Sequence, residues 1–333
     1  MVERELTQTV PLTLPNGRLN REAVGWARTA SVTTEGIGGL RSWGRNKRWE
    51  YWNVVTPRFI LAATVSSLDY AGVHEVWVFD RHSKTSVAAS TTAILAAGTE
   101  LPGSLGKGPV RAWSRALAIA VDEVDGGTRI RARIEGASFD VVAARPSGHG
   151  ALGVVVPWSD RRFQYTVKDV ARPATGTVTV GDETQELTPG ESWAVLDHGR
   201  GRWPYDMRWN WGAGSGVCDG RRIGLQVGGR WTVGTGSTEN AVFVDGRLHK
   251  IGEELTWDYD PADYLAPWRV HGAGLDATLV PEHDKVSRTN LGLLSSRTDQ
   301  CFGTWSGTFE TGSGERIDFT GLVGWAEDVH NRW

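Results

Sequence analysis

The stretch Thr128-Arg129-Ile130-Arg131-Ala132-Arg133-Ile134-Glu135 sets three arginines in alternation with Ile130, Ala132 and Ile134. Successive side chains of an extended chain point to opposite sides, so this period of two predicts a β-strand with one wet face and one apolar face. A second apolar run, residues 116–124, precedes it, and Asp125-Gly126-Gly127 between the two is the chemistry of a tight antiparallel hairpin. The same punctuation returns at Gly181-Asp182, Asp245-Gly246 and Thr311-Gly312-Ser313-Gly314. With 42 glycines and 13 prolines the chain leaves little room for long helices, and Pro261-Ala262-Asp263-Tyr264-Leu265 is the best candidate for a short helical turn. Parallel sheets need crossover helices. Their scarcity predicts an all-β fold of antiparallel sheets, closed into barrels or stacked as sandwiches.

A chain of 333 residues suggests two domains. Arg48-Trp49-Glu50-Tyr51-Trp52 resembles Arg208-Trp209-Asn210-Trp211, which lies 209 − 49 = 160 residues later. In the first half, residues 59–65 and then 72–80 follow as apolar runs, and residues 223–227 and 238–245 follow in the second. A repeat of that length is a domain's worth of chain, so it reads as a duplicated barrel. The turn chemistry at Pro189-Gly190 puts the boundary near residue 190, giving halves 1–190 and 191–333.

The formal charge of −3 arises from 36 basic and 39 acidic residues scattered along the chain, which leaves no field to hold a polyanion; nucleic acid is not an expected partner. The start, Met1-Val2-Glu3-Arg4-Glu5-Leu6, lacks the apolar core of a signal peptide, and no later stretch approaches ~18 apolar residues. A cytoplasmic protein with no membrane span is therefore expected. Cys218 and Cys301 are too few for a disulfide scaffold or a thiolate metal site and are expected as buried thiols. The unusual number is 17 tryptophans against 8 Phe and 6 Tyr. An indole offers a large apolar face and one N–H donor, which suits both barrel cores and cavities with partly polar contents.

Three stretches carry a family resemblance: Leu14-Pro15-Asn16-Gly17-Arg18-Leu19-Asn20 followed by Gly25-Trp26; Leu196-Asp197-His198-Gly199-Arg200-Gly201-Arg202-Trp203-Pro204 running into Trp209-Asn210-Trp211-Gly212; and Gly324-Trp325-Ala326-Glu327-Asp328. Over almost its whole length the chain resembles a bacterial family known as domain of unknown function 2804. More distantly, Asp-His followed by Trp-Gly is similar to a signature of carotenoid 1,2-hydratase-like proteins. That resemblance implies two consecutive antiparallel lipocalin-like (calycin) β-barrels with an apolar ligand pocket.

Asp197-His198 is the strongest local candidate for chemistry, since an imidazole can exchange protons at neutral pH. Adjacent strand residues face opposite ways, so Asp197 is not expected to hold His198 directly. Arg202 and Arg208, with Arg200, stand beside Trp203, Trp209 and Trp211 as cations next to aromatic walls. Glu239-Asn240 precedes the apolar residues 241–244, where a buried carboxylate would need a partner or a raised pKa. Asp328 closes the C-terminal motif. The densest basic run, Arg45-Asn46-Lys47-Arg48, reads either as a solvated strand end or as a place for an anionic head group at a barrel mouth, with Asp69-Tyr70 on the same rim. No nucleotide-binding, zincin or hydrolase motif is present and the eight histidines form no short-spaced pair, so neither a cofactor nor a metal is predicted.

The leading expectation is a cofactor-independent acid–base enzyme of hydratase, isomerase or cyclase type, acting on a largely apolar or amphipathic small molecule. His198 and Glu239 would exchange protons, Asp197 and Asp328 would orient, and Trp203, Trp209, Trp211, Arg202, Arg208 and Asn240 would bind the ligand. A non-catalytic carrier of lipid-like ligands and a carbohydrate-active enzyme remain as alternatives. The site is expected beside the second tryptophan-rich strand, with the first copy as scaffold.

Overall fold

The computed structural model describes residues 3–290 and 292–333. The chain divides into two compact units, Arg4–Trp203 and Pro204–Trp333, and Glu3 belongs with the second. Each is a curled antiparallel sheet forming a lipocalin-like barrel.

In the first unit the strand order is Thr85–Ile94, Ala71–Asp80, Phe59–Ser67, Asn46–Val55, Trp193–Arg202, Phe163–Val180, Ala137–Ala144, Gly127–Ile134, Leu117–Val124, Val110–Trp113 and Thr99–Glu100. The alternating stretch falls in Gly127–Ile134: Ile130, Ala132 and Ile134 are buried, whereas Arg129 and Arg131 pair with Asp140 and Asp122 on the wet face. Inward-facing residues of most of these strands meet in one core that includes Trp52, Leu61, Val76, Ile119, Ile130, Val141 and Leu196. Burying a side chain of this size contributes ~1.5–3 kcal/mol. A second cluster joins Leu12, Leu19, Val32 and Ile37 of the N-terminal segment to Phe163, Tyr165 and Val167.

The second unit runs Arg247–Ile251, Asn240–Val244, Arg221–Gly229, Asp206–Cys218, Arg316–Arg332, Ser295–Glu310, Leu275–Asn290, Trp268–Gly272 and Thr256–Asp258. Its core is built on Leu225, Val227, Val242, Trp268, Leu279 and Trp305.

Three expectations change. The division falls at Trp203/Pro204, because Trp193–Arg202 bonds along its length to Asn46–Val55 and Phe163–Val180. The Pro189-Gly190 punctuation is a turn within the first unit, where the Glu191 N–H reaches the Thr188 carbonyl. Residues 261–265 form turns, not helix: the carboxylates of Asp260 and Asp263 accept the N–H groups of Ala262 and Leu265, competing with helical bonding. Cys301 is buried as expected, but Cys218 is only half-buried.

The repeat is visible inside each barrel. Trp49 donates its indole N–H to Asp197 at 3.0 Å, and Trp209 donates to Glu327 at 2.9 Å. Cross-strand register then pairs Glu50 with His198 in the first unit and Asn210 with Asp328 in the second. The two copies thus share a tie on one face of the sheet and differ on the other.

Candidate functional site

Side chains opposite one another in an antiparallel sheet share a face, so the register of the first barrel defines rows. One row holds Tyr165, Arg200, Arg48 and Ser67; the next holds Val167, His198, Glu50, Val65 and His74; the third holds Leu196, Trp52, Ala63 and Val76. The third row is core. Ionisable groups occupy the two rows before it, about 7 Å apart along each strand.

His198 has no exposed surface, and its Nδ1 lies 3.2 Å from Glu50 Oε1. Glu50 Oε1 also lies 3.7 Å from the buried Arg200 guanidinium. Burial raises the Glu50 carboxyl, but the hydrogen bond from His198 and the charge of Arg200 oppose it, and the group is held below its ordinary range. His198 is pushed down to about 4 by burial and by Arg200, against the opposing pull of Glu50. A neutral imidazole donating from Nδ1 to a carboxylate presents a lone pair at Nε2. That Nε2 is buried and has no hydrogen-bond partner. A proton acceptor held in one tautomer, with its accepting atom unused, is the chemical content of this cluster.

Arg200 is anchored by carbonyls, with Nη1 donating to Trp49 at 2.8 Å and Gly199 at 2.9 Å, and Nη2 to Pro102 at 3.2 Å. Arg48 donates from Nη2 to Ser67 Oγ at 3.0 Å. Both Arg48 and Ser67 line a cleft of about 510 Å³ whose other walls include Asp69, Thr99, Glu100, Leu40, Trp43 and Leu101. Thr99 Oγ1 in turn lies 2.8 Å from Nε2 of His74, whose pKa burial lowers. The cleft therefore opens on the row adjoining the Glu50–His198 pair.

Of the expected site residues, His198, Asp197, Arg202 and Trp203 belong to the first unit. Asp197 faces away from the His198 row, where it accepts from Trp49 and Thr166 and pairs with Lys168 Nζ at 3.0 Å. Arg202 donates to Asn46 Oδ1 at 3.0 Å and to the carbonyls of Gly17 and Gly36, tying the N-terminal segment to its strand. Trp203 donates to Gln164 at 2.7 Å and packs edge-on against Trp49 and Trp158.

Glu239, Asp328, Trp209, Trp211, Arg208 and Asn240 belong to the second unit. Glu239 is buried and accepts from the Trp231 indole. Asn240 is used by the backbone, accepting from Gly228 N at 2.7 Å and donating to Glu253 O at 3.1 Å. Trp211 donates to Gln226 at 2.9 Å, and Arg208 is exposed. Asp328 meets Arg230 at 3.2 Å, Arg297 at 2.8 Å and the Tyr264 hydroxyl at 2.8 Å. Burial raises its carboxyl, but Arg297 and Tyr264 outweigh that and hold it down. It is a saturated anion. Tryptophan does line the cleft, but as Trp43, and none of Trp203, Trp209 and Trp211 is among its walls.

The residue that sequence reasoning missed is Glu50. Its parity with Trp52 and Val54 put it on the core-facing side of a strand, which was the available signal. Among the described residues no group of three His, Cys, Asp or Glu side chains is arranged to hold a metal. No helix among them is long and apolar enough to cross a membrane.

Solved structures share the fold. Kievitone hydratase from Nectria haematococca is 13% identical, with a TM-score of 0.54 over 92% of this chain and 96% of that one. An AttH-assigned protein from Nitrosomonas europaea is 12% identical, with a TM-score of 0.52 over 88% and 94%. No curated protein sequence matches. The family model described as Domain of unknown function (DUF2804) matches residues 3–333, and with its paired barrels the chain belongs to that family.

Proposed function

We propose that the protein is an acid–base enzyme of hydratase, isomerase or cyclase type, with His198 as the proton-transferring group and Glu50 as the residue that orients it. The observation that carries this reading is the buried, unpartnered Nε2 of a histidine whose Nδ1 is held by a carboxylate. The likeness of fold to kievitone hydratase agrees with the reaction class. The substrate enters the cleft at Arg48 and Ser67 and presents its reacting carbon toward the next row. The cleft walls Leu40, Trp43 and Leu101 suit a largely apolar body.

In a hydration, His198 Nε2 takes a proton from water as the water oxygen bonds to the electron-poor carbon of a polarised double bond. The displaced π electrons collect toward the activating group, and the imidazolium returns its proton to the adjacent carbon. Nothing leaves, and one water is added. With its pKa lowered to about 4 the imidazole is neutral near pH 7 and free to accept a proton, and the imidazolium it becomes is a strong acid toward the adjacent carbon. An isomerisation uses the same base with removal and return at different carbons.

The test is a panel of α,β-unsaturated carbonyl compounds incubated in isotopically labelled water. Label should enter product with the wild type and should fall by about 10²–10⁴ with His198→Asn. Undiminished labelling in folded His198→Asn, or binding in the cleft without turnover of any compound, would leave the carrier reading in its place.

A further inference from the structure

Among the described residues the one cationic wall of the cleft, Arg48, is not neutralised by a carboxylate. Glu50 is shared by His198 and Arg200, so it is already committed. Arg48 and Arg200 are direct cross-strand partners, which sets two like charges side by side. Among the described residues no carboxylate forms an ion pair with Arg48; its Nη2 has only the Ser67 hydroxyl, and its Nε is buried without a hydrogen-bond partner. The N-terminal loop lies against the guanidinium closely enough that a Cβ at Gly38 would stand 3.2 Å from Nη1. A cation shielded from water in this way gains more from an anion than an exposed one does.

The other walls limit which anion fits. Asp69 is occupied by Gly44 N at 2.7 Å and by the backbone and side-chain nitrogens of Asn46, and Glu100 is exposed. Both are negative, which disfavours a dianion. Guanidinium geometry matches the two oxygens of a carboxylate, and Leu40, Trp43 and Leu101 offer apolar contact beside it. Resting on the reading that places the ligand in this cleft, we infer that the ligand is an amphipathic monocarboxylate whose carboxylate is held by Arg48 and Ser67.

The half-exposed Trp43 supplies the measurement, since its fluorescence reports occupancy of the cleft, with Trp43→Phe as the control for signal from elsewhere. Benzoate, cinnamate, octanoate and decanoate are titrated against their methyl esters and against inorganic phosphate. At least one acid should bind about tenfold tighter than its ester, phosphate should not displace it, and the preference should vanish in Arg48→Gln. Added salt should weaken the acid alone, which tests the claim in wild-type protein even if the variant fails to fold. Esters binding as well as acids, no acid binding at all, displacement by phosphate, or a preference that survives in folded Arg48→Gln overturns it. His198→Asn should keep the preference while losing turnover, so failure of the proposed chemistry and failure of this anchor give different results.

Discussion

Asp328 stands in the second barrel at the register position that His198 holds in the first. Asp328 lies opposite Asn210 and His198 opposite Glu50, and each directly follows the carboxylate, Glu327 or Asp197, that accepts an indole N–H. The tie on one face is repeated, joining each tryptophan-rich strand to the strand beside it. On the other face one copy carries an acid–base pair with an unused nitrogen, and the other carries an anion surrounded by donors.

The His198 environment makes stability depend on pH. Its folded pKa is about 4 against an ordinary value of 6.5, so between these values the unfolded chain binds more protons. The contribution is complete above the upper value and is lost as pH falls toward the lower one, by an amount on the order of 3 kcal/mol. Urea unfolding of the wild type and His198→Asn across this range should show a steeper loss in the wild type. Equal slopes would mean that His198 titrates normally.

Asp197 is expected to matter for stability and not for turnover. Asp197→Ala removes the carboxylate that pairs with the buried Lys168 ammonium and accepts from Trp49 and Thr166, a loss of ~1–3 kcal/mol. Thermal melts should show it, while kcat per folded molecule stays near the wild-type value. A normal melting temperature with a collapsed kcat in Asp197→Asn would place the residue in the chemistry instead.

Gly199 is a packing requirement. A Cβ there would stand 2.1 Å from the Trp49 ring, so Gly199→Ala must displace a rigid indole and break its bond to Asp197. A cost of ~1–3 kcal/mol is expected, and more if the strand moves. Calorimetry of this variant beside Gly126→Ala, at an open turn glycine whose positive φ alone resists the change, separates ring displacement from backbone strain.

Asp328→Ala should destabilise the second barrel by about 1–3 kcal/mol, less than a fully enclosed pair, because Arg230 and Arg297 remain partly in water. Turnover at the first barrel should persist at temperatures where the fold is intact. Loss of product formation in a variant with an unchanged melting curve would give Asp328 a chemical role.

Much of the architecture was legible in the chain. The alternation at residues 128–135 and the turn residues at 125–127, 181–182, 245–246 and 311–314 act through neighbours close in sequence, and the repeated Arg-Trp pairs at 48–49 and 208–209 are visible as a repeat. The family motifs likewise led to the right fold. His198 itself was visible as a titratable residue in a tryptophan-rich stretch. Its partner was not, because Glu50 lies 148 residues away and the pairing depends on the register between two distant strands. The adjacent Asp197 is sent to the opposite face by the pleat of the strand, as the period of two requires.

By itself, then, the sequence determined that strands form, where they turn and which side of each is apolar, since those follow from backbone sterics and a period of two. Only the tertiary structure decided that Trp193–Arg202 joins the first barrel and that Glu50, not Asp197 or Glu239, meets His198. It also placed an open cleft beside the first tryptophan-rich strand. Strand pairing at long range fixes all three, and a single strand carries no local mark of which partner it will find.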